Sequence, residues 1–375
     1  MSQPFPFDPA QIFGIAGELL GVEPLTSGHI NRTYKLQFPK TSIVLQKVNT
    51  AIFRDIDGLM GNIFTVTEYL RTQLAAIGGD VDREGLHFLR TVDGALYYQD
   101  AGGGSWRAYR FVANSYTVQK IDRPETFTRA GRAFGRFGRL LTDFDGASLA
   151  ENLPDFHNTP VRFAQLQEAV KQNAAGRKDS ALPEINFAAE REEQYGRLVV
   201  LQAEDKLPVR VTHNDTKLNN VVFDKLTGGA LCVIDLDTVM PGLSAYDFGD
   251  AIRFGANTAA EDERDISKVS LNLELFAAYA KGYLSEAGSS LTQTEREVLP
   301  FGAWLMTVEC GMRFLADYLN GDIYFHTDYP EHNLVRARTQ FALAADMERK
   351  MGEMERIVSE FSLMHRLHSV TISPC

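Results

Sequence analysis

The run Val211-Thr212-His213-Asn214-Asp215-Thr216-Lys217-Leu218-Asn219-Asn220-Val221-Val222-Phe223 is followed shortly by Val233-Ile234-Asp235-Leu236-Asp237. It sets one carboxylate, Asp215, in a polar loop, an Asn five residues later, and then two acids closing an apolar strand-like run. Phosphoryl transfer needs a base at the acceptor hydroxyl and separate oxygen ligands for the magnesium that neutralises a triphosphate; one turning loop and the next strand can supply all of them. Asp and Asn also populate turns for local hydrogen-bonding reasons, so the Asp215 to Asn220 spacing does not discriminate alone. Leu231-Cys232-Val233-Ile234 does, because a buried apolar run leads straight into two acids only where something cationic is held. The period of two of a strand puts Asp235 and Asp237 on one face.

The chain has 375 residues, too many for one ordinary core, which predicts two lobes. With 38 Lys and Arg against 49 Asp and Glu the net charge is −11, so no basic face for nucleic acid is implied, and a small neutral substrate fits better. Cys232, Cys310 and Cys375 are odd in number and lack metal-ligand spacing, as in a reducing compartment. Cys232 and Cys310 sit in apolar runs as small core residues. No stretch approaches bilayer length, and Met1 to Asp8 is neither basic nor followed by a signal-type apolar region. The expectation is a cytoplasmic monomer or small homo-oligomer with no membrane or nucleic-acid partner.

Strand patterns occupy the front: Tyr34–Phe38, Ile43–Val48, Leu86–Leu89, Ala95–Tyr98 and Trp106–Val112, with helical spacing from Leu59 to Leu74 through Ile63, Val66 and Leu70. Beyond Val112 the period changes. Helical faces run over Phe127–Leu141, Phe163–Ala174, Ala188–Leu201, Leu271–Leu284, Thr294–Tyr318 and Asn333–Phe361, with irregular connections at Asn152–Thr159 and Gly176–Pro183. The fold class is α+β: a small, mostly β N-lobe over 1–112 and a larger, mostly α C-lobe over 113–375.

A front lobe that covers phosphates needs a flexible loop and a cation. Thr26-Ser27-Gly28-His29-Ile30-Asn31-Arg32-Thr33-Tyr34 stands where such a loop belongs, and Gly28, Asn31 and Thr33 are its candidate nucleotide contacts. Lys47, on the face of Ile43 and Leu45, is the candidate cation; Gln46 points the other way, so register decides between them. Arg110 and Val112, at the end of the last strand, complete the nucleotide set. Glu68 is the one carboxylate offered on the helix for pairing.

His213-Asn214-Asp215 to Asn220, with Ile234-Asp235-Leu236-Asp237, resembles the aminoglycoside phosphotransferase and choline kinase superfamily, whose loop usually reads His-Gly-Asp. Gly28–Tyr34, Leu45-Gln46-Lys47-Val48-Asn49-Thr50, Thr238-Val239-Met240-Pro241-Gly242, Tyr246–Phe254 and Glu309–Leu315 make the chain similar to N-acetylhexosamine 1-kinases. The resemblance implies a two-lobed, protein-kinase-like fold and an ATP- and Mg2+-dependent kinase for the anomeric hydroxyl of a free amino sugar. It assigns Asp215 as the base and Asn220 and Asp235 as metal ligands, and gives Asp247 the task of bracing the catalytic loop. It also implies a sugar pocket of Arg313, Tyr324, Phe254 and His29.

Arg313 and Tyr324 are eleven residues apart, about 16 Å along an unbroken helix, so both meet one sugar only if the helix stops first. Asn320-Gly321-Asp322 supplies that stop, with Gly321 free to adopt a left-handed conformation. Two other readings fit the residues. One is a kinase for another small alcohol, such as another free sugar, an aminoglycoside, choline or homoserine, where a cationic substrate calls for an acidic pocket of the kind Glu261, Asp262, Glu263 and Asp265 could form. The other is a non-catalytic nucleotide-binding module, disfavoured because Asp215, Asn220 and Asp235 are all present.

Overall fold

The structure is a computed structural model that describes residues 5–25, 30–121 and 123–370, with side chains as far as residue 363. Its front lobe is a sheet of β1 (Gly21–Leu25), β2 (Arg32–Gln37), β3 (Ser42–Lys47), β4 (Phe88–Leu89), β5 (Tyr98–Gln99) and β6 (Ser105–Arg110), in the order β1-β2-β3-β6-β4, with β5 also on β6. All pairs are antiparallel. Alternation sorts the side chains to two faces. Leu36, Ile43, Leu45, Trp106 and Ala108 pack outward against Phe5, Phe7 and Phe13, close to the short α1 (Pro9–Ile12), and form a small core of their own. The inner face meets α2 (Ile56–Ala76), which Asp55 caps by accepting from Gly58 N at 2.9 Å.

The chain crosses to the back lobe between Arg110 and Ser115. There β7 (Ser115–Thr117) joins β9 (Val221–Asp224) and β10 (Ala230–Val233), while β8 (Arg210–Thr212) pairs with β11 (Met240–Gly242). The helices are α3 (Pro124–Leu140), α4 (Thr159–Gln172), α5 (Leu182–Ala189), α6 (Glu192–Tyr195), α7 (Arg197–Ala203), α8 (Ser244–Gly255), α9 (Leu273–Ala287), α10 (Gln293–Glu297), α11 (Leu299–Asn320) and α12 (His332–Val370). The helix expected over Ala188–Leu201 is broken into pieces, and that over Thr294–Tyr318 is two. Thr292 and Glu295 close a capping box at the start of α10, and Pro300, which lacks a donor, opens α11.

A single apolar core runs through both lobes, from Leu59 and Ile63 of α2 to Phe248, Trp304 and Met347. Asn62, on α2, adds a polar tie, donating to Ala150 O at 2.8 Å and Val239 O at 3.0 Å. α8 and α11 meet backbone to backbone: a Cβ on Gly249 would lie 2.4 Å from Gly302 O. That approach brings α11 close to the loop that α8 supports. Among the described residues no helix is long and apolar enough to cross a membrane.

Candidate active site

β8 delivers the chain to His213 and Asn214, and Asn214 takes a left-handed φ of 62°. Asn tolerates that conformation better than most side chains, which accounts for its presence where the wider pattern has Gly. Its Nδ2 donates to Thr238 O at 2.8 Å, and Thr238 Oγ1 donates to His213 O at 2.6 Å, so this loop and the one after β10 hold each other. The buried His213 ring adds a third tie, Nε2 lying 2.9 Å from Ile234 O. From beneath, Asp247 accepts from His213 N at 2.8 Å and Asn214 N at 2.7 Å. Asp247 therefore braces the loop, as the resemblance implied. Burial holds its carboxyl above the usual range.

One turn on, Asp250 accepts from Thr216 N at 3.0 Å and is gripped by Arg253 at 3.0 and 2.8 Å. Burial works against its ionisation, but Arg253 and Lys217 outweigh it and hold Asp250 below the ordinary range. Asp250 was not among the expected site residues; its signal was the three-residue spacing from Asp247 on one helix face.

Asp215 stands above this platform with its side chain 27% exposed. Asn220 Nδ2 donates to its Oδ2 at 3.0 Å and to its backbone O at 2.9 Å. Lys217 Nζ sits 2.8 Å from its Oδ1, and Asp215 raises the Lys217 pKa. Lys217 is a second residue the sequence reading missed, though it lies only two positions from Asp215, the expected base. With its amide nitrogen turned to Asp215, Asn220 keeps Oδ1 free of any donor among the described residues.

The strand expected to carry both acids ends early. β10 stops at Val233, Asp235 adopts a left-handed φ of 63°, and Leu236–Thr238 form a tight 3-10 turn. Asp235 and Asp237 therefore do not share a strand face, because Asp235 is itself left-handed and Asp237 lies within the turn that follows it. Asp235 opens onto the cleft and makes no hydrogen bond or ion pair among the described residues. Its carboxyl is held above the usual range by desolvation at the cleft floor, then by Asp237 and Asp215, a shift moderated by the solvent that reaches it. Asp237 is 3% exposed, with Arg107 Nη2 2.5 Å from Oδ1 and Asn31 Nδ2 2.6 Å from Oδ2.

No group of three or more His, Cys, Asp or Glu side chains among the described residues could hold a metal by itself. Asn220 Oδ1 and Asp235 nonetheless suit magnesium, which takes one or two protein oxygens and completes its shell with phosphate and water. An unpaired carboxylate crowded by two others is the donor that such a cation relieves.

Of the front-lobe candidates, Gly28 and His29 lie outside the described residues. Asn31 and Thr33 reach the inner face. Lys47 does not: its Nζ lies 5.5 Å over the Trp106 ring on the outer face. The companionship with Ile43 and Leu45 held, but that face belongs to the outer core, so Gln46 is the β3 residue turned inward. Glu68 is exposed on α2, and the helix instead presents Met60 Sδ, 4.0 Å from Arg107 Nη1. Arg110 is exposed at the crossing between lobes, while Val112 is buried with its carbonyl accepting from Ser115 Oγ at 2.6 Å.

α11 ends where expected, with Gly321 left-handed at φ 98°. Asp317 nests the turn that follows, accepting from Ile323 N, Tyr324 N and Phe325 N at 3.0, 2.8 and 2.9 Å. Arg313 and Tyr324 thereby line one cavity of about 430 Å³ with Arg162, Asn320 and Phe325. The Arg313 guanidinium lies 5.2 Å from the Phe156 ring centre and 5.6 Å from that of Phe325, with no hydrogen-bond acceptor among the described residues. Neither Asp215 nor Phe254 lines this cavity; Phe254 is 37% exposed on the last turn of α8. Of the acids at 261–265, Glu263 lines a cavity of about 400 Å³ shared with Arg264 and Arg338, while Glu261 pairs with Arg253, Glu263 and Asp265 with Lys268, and Asp262 lies 3.4 Å from His332 Nε2. Burial pushes the Cys232 thiol up to about 12 and the Cys310 thiol up to about 11, which disfavours the thiolate at both.

The fold resembles that of an aminoglycoside phosphotransferase from Alicyclobacillus acidocaldarius, with a TM-score of 0.58 and 12% identity over 95% of this chain and 98% of that one. A choline kinase from Cryptosporidium parvum gives a TM-score of 0.50 and 13% identity over 92% and 93%. Aminoglycoside 2′-phosphotransferase-IIIa in its GDP complex gives 0.50 and 11% over 87% and 93%. At such identities these likenesses carry the fold alone. The sequence model of the phosphotransferase enzyme family matches residues 21–287, which hold the front sheet, the braced loop and both acids, and the chain belongs to that family.

Proposed function

We propose that the protein is an ATP- and magnesium-dependent kinase that transfers a phosphoryl group to the anomeric hydroxyl of an N-acetylhexosamine such as N-acetylglucosamine or N-acetylgalactosamine. The carrying observation is Arg313, a half-buried guanidinium between two aromatic rings with unused donors, sharing its cavity with Tyr324. Neutral polyhydroxyl ligands are held by planar polar groups and aromatic faces of this kind. A cationic acceptor would meet Arg162 and Arg313 there, and in the acidic run Glu261, Glu263 and Asp265 are already paired with Arg253 and Lys268. That favours a sugar over choline or an aminoglycoside.

Asp215 does not line that cavity, so the acceptor's anomeric hydroxyl must project from it to Asp215, which then accepts its proton. An anomeric hydroxyl is more acidic than an ordinary alcohol, so a carboxylate need only take the proton late in an in-line transfer. Asn220 and Lys217 fix the two carboxylate oxygens, and Asp247 and Asp250 fix the backbone beneath them. Asn220 and Asp235 would hold magnesium, whose charge neutralises the triphosphate. Positioning and charge neutralisation supply most of the acceleration in such sites.

The test is ATP consumption against N-acetylhexosamines, free hexosamines, choline and aminoglycosides, with loss of the sugar's reducing end reporting phosphorylation at C1. Turnover with N-acetylhexosamines alone is the expected outcome. Turnover confined to choline or an aminoglycoside would transfer the assignment to that substrate.

A further inference from the structure

Three side chains stand directly opposite one another across the inner face of the front sheet. Thr33 on β2 pairs with Gln46 on β3, and Gln46 with Arg107 on β6. They are wired in that order: Gln46 Nε2 donates to Thr33 Oγ1 at 3.1 Å, and Arg107 Nε donates to Gln46 Oε1 at 2.9 Å. The Arg107 guanidinium then crosses to the back lobe, Nη2 lying 2.5 Å from Asp237 Oδ1. The other oxygen of Asp237 returns to the front lobe through Asn31 Nδ2 at 2.6 Å, and Asn31 Oδ1 accepts from Asn49 N at 3.0 Å. The network leaves the sheet at one strand and re-enters it beside another.

Arg107 is 1% exposed. A guanidinium is retained at that depth only where anions hold it, since an uncompensated buried charge is strongly destabilising. It faces two carboxylates, Asp237 in contact and Asp235 within electrostatic range, and the latter opens onto the cleft. The Asp237 contact is an ion pair without an aligned hydrogen bond, for Oδ1 has no well-oriented donor. Nε and Nη1 of Arg107 are engaged by Gln46 Oε1 and Met60 Sδ, so Nη2, ion-paired with Asp237 but not hydrogen-bonded to it, is the donor that stands on the side of Asp235, the acid that would carry the metal. Lys47 is directed to the opposite face of the same sheet.

We propose that Arg107 is the cation that the front lobe offers to the nucleotide's phosphates, and that Asp237 is a positioning residue that holds it across the cleft. This rests on the nucleotide reading above. The two acids after β10 then have separate tasks: Asp235 toward the metal, Asp237 toward Arg107. A planar fork suits this task, because it can keep Gln46 and Asp237 on some donors while presenting others to phosphate oxygens.

The experiment is calorimetric titration of wild type, Arg107→Met, Asp237→Asn and Lys47→Met with Mg-ATP and with adenosine, alongside melting temperatures. Arg107→Met is expected to weaken Mg-ATP binding about tenfold or more and leave adenosine affinity unchanged, as loss of a charged hydrogen bond to phosphate requires. Asp237→Asn should weaken Mg-ATP in the same sense, raising KM for ATP more than it lowers kcat, and the double variant should be little worse than Arg107→Met alone. Lys47→Met should bind Mg-ATP as wild type does. Equal loss for adenosine and Mg-ATP in Arg107→Met, or a loss in Lys47→Met and none in Arg107→Met, overturns the proposal. Should Arg107→Met fail to fold, Asp237→Asn with wild-type Mg-ATP affinity overturns it as well. A wild type that binds no nucleotide removes the kinase reading and this inference with it, whereas wild-type binding unaffected by the variants removes this inference alone.

Discussion

Asp215 has each carboxylate oxygen engaged, one by Asn220 Nδ2 and one by Lys217 Nζ, which fixes the rotamer of the group proposed to meet the acceptor hydroxyl. Asp215→Asn keeps the size and removes the basicity. Turnover should fall roughly a hundredfold or more while Mg-ATP affinity is largely retained, since the residue acts on the acceptor. Near-normal turnover would remove Asp215 from that role. Asp235 calls for a different readout, because it has no partner among the described residues and is crowded by Asp237 and Asp215. Asp235→Asn should make the metal-free protein melt slightly higher by relieving that repulsion, and should abolish the rise in Tm that Mg-ATP gives the wild type. A variant still stabilised by Mg-ATP would exclude Asp235 as the ligand. That Asp215, Asn220 and Asp235 stand near one another was legible because their spacing lies within one loop and its neighbour. Arg107 was not, since its anion stands 130 positions away and only the fold brings them together.

At the scale of elements, the end of α11 matters most. Gly321, at φ 98°, and the Asp317 nest reverse the chain so that Tyr324 returns to the cavity of Arg313. Arg313→Ala should raise KM for the sugar enough to cost more than tenfold in kcat/KM, and Tyr324→Phe less, with KM for ATP nearly unchanged in both. Sugar kinetics indifferent to both would dissolve the pocket while leaving the base and metal assignments standing. The stop was readable from Asn320-Gly321-Asp322 because glycine's freedom is local physics. The direction of β3 was not. Alternation says which residues share a face, and it grouped Lys47 with Ile43 and Leu45 correctly. Which face is covered by Phe5, Phe7 and Phe13, and which by α2, depends on how segments outside the strand pack, which alternation within β3 does not encode. The break after Val233 was hidden for a related reason, since an Asp can end a strand or continue it until its neighbours are known.

For the molecule as a whole, α12 is the longest element, about 58 Å at 1.5 Å per residue, and it packs along α11 and α9. Asp346, 6% exposed on α12, ties it to the segment before α9. It accepts from Ser270 Oγ at 2.8 Å and Leu271 N at 2.7 Å, with Lys350 Nζ at 2.7 Å and Arg349 Nη2 at 2.9 Å. Burial opposes its ionisation, but Lys350 and these donors outweigh it and bring the carboxyl down to about 2. An unfolded carboxylate titrates near 3.9, so the folded chain releases this proton more readily. The resulting stability is fully present above that ordinary value and is lost as pH falls through about 2. Asp346→Asn, which keeps an acceptor for Leu271 N but loses the charge facing Lys350 and Arg349, should cost about 2 kcal/mol at pH 7. Chemical denaturation of both proteins from pH 7 down to about pH 3 should show the gap narrowing at the acid end as the wild-type advantage titrates away. A gap that stays constant across that range would mean that Asp346 holds α12 by shape and hydrogen bonding, and that its charge contributes nothing to the docking of this helix.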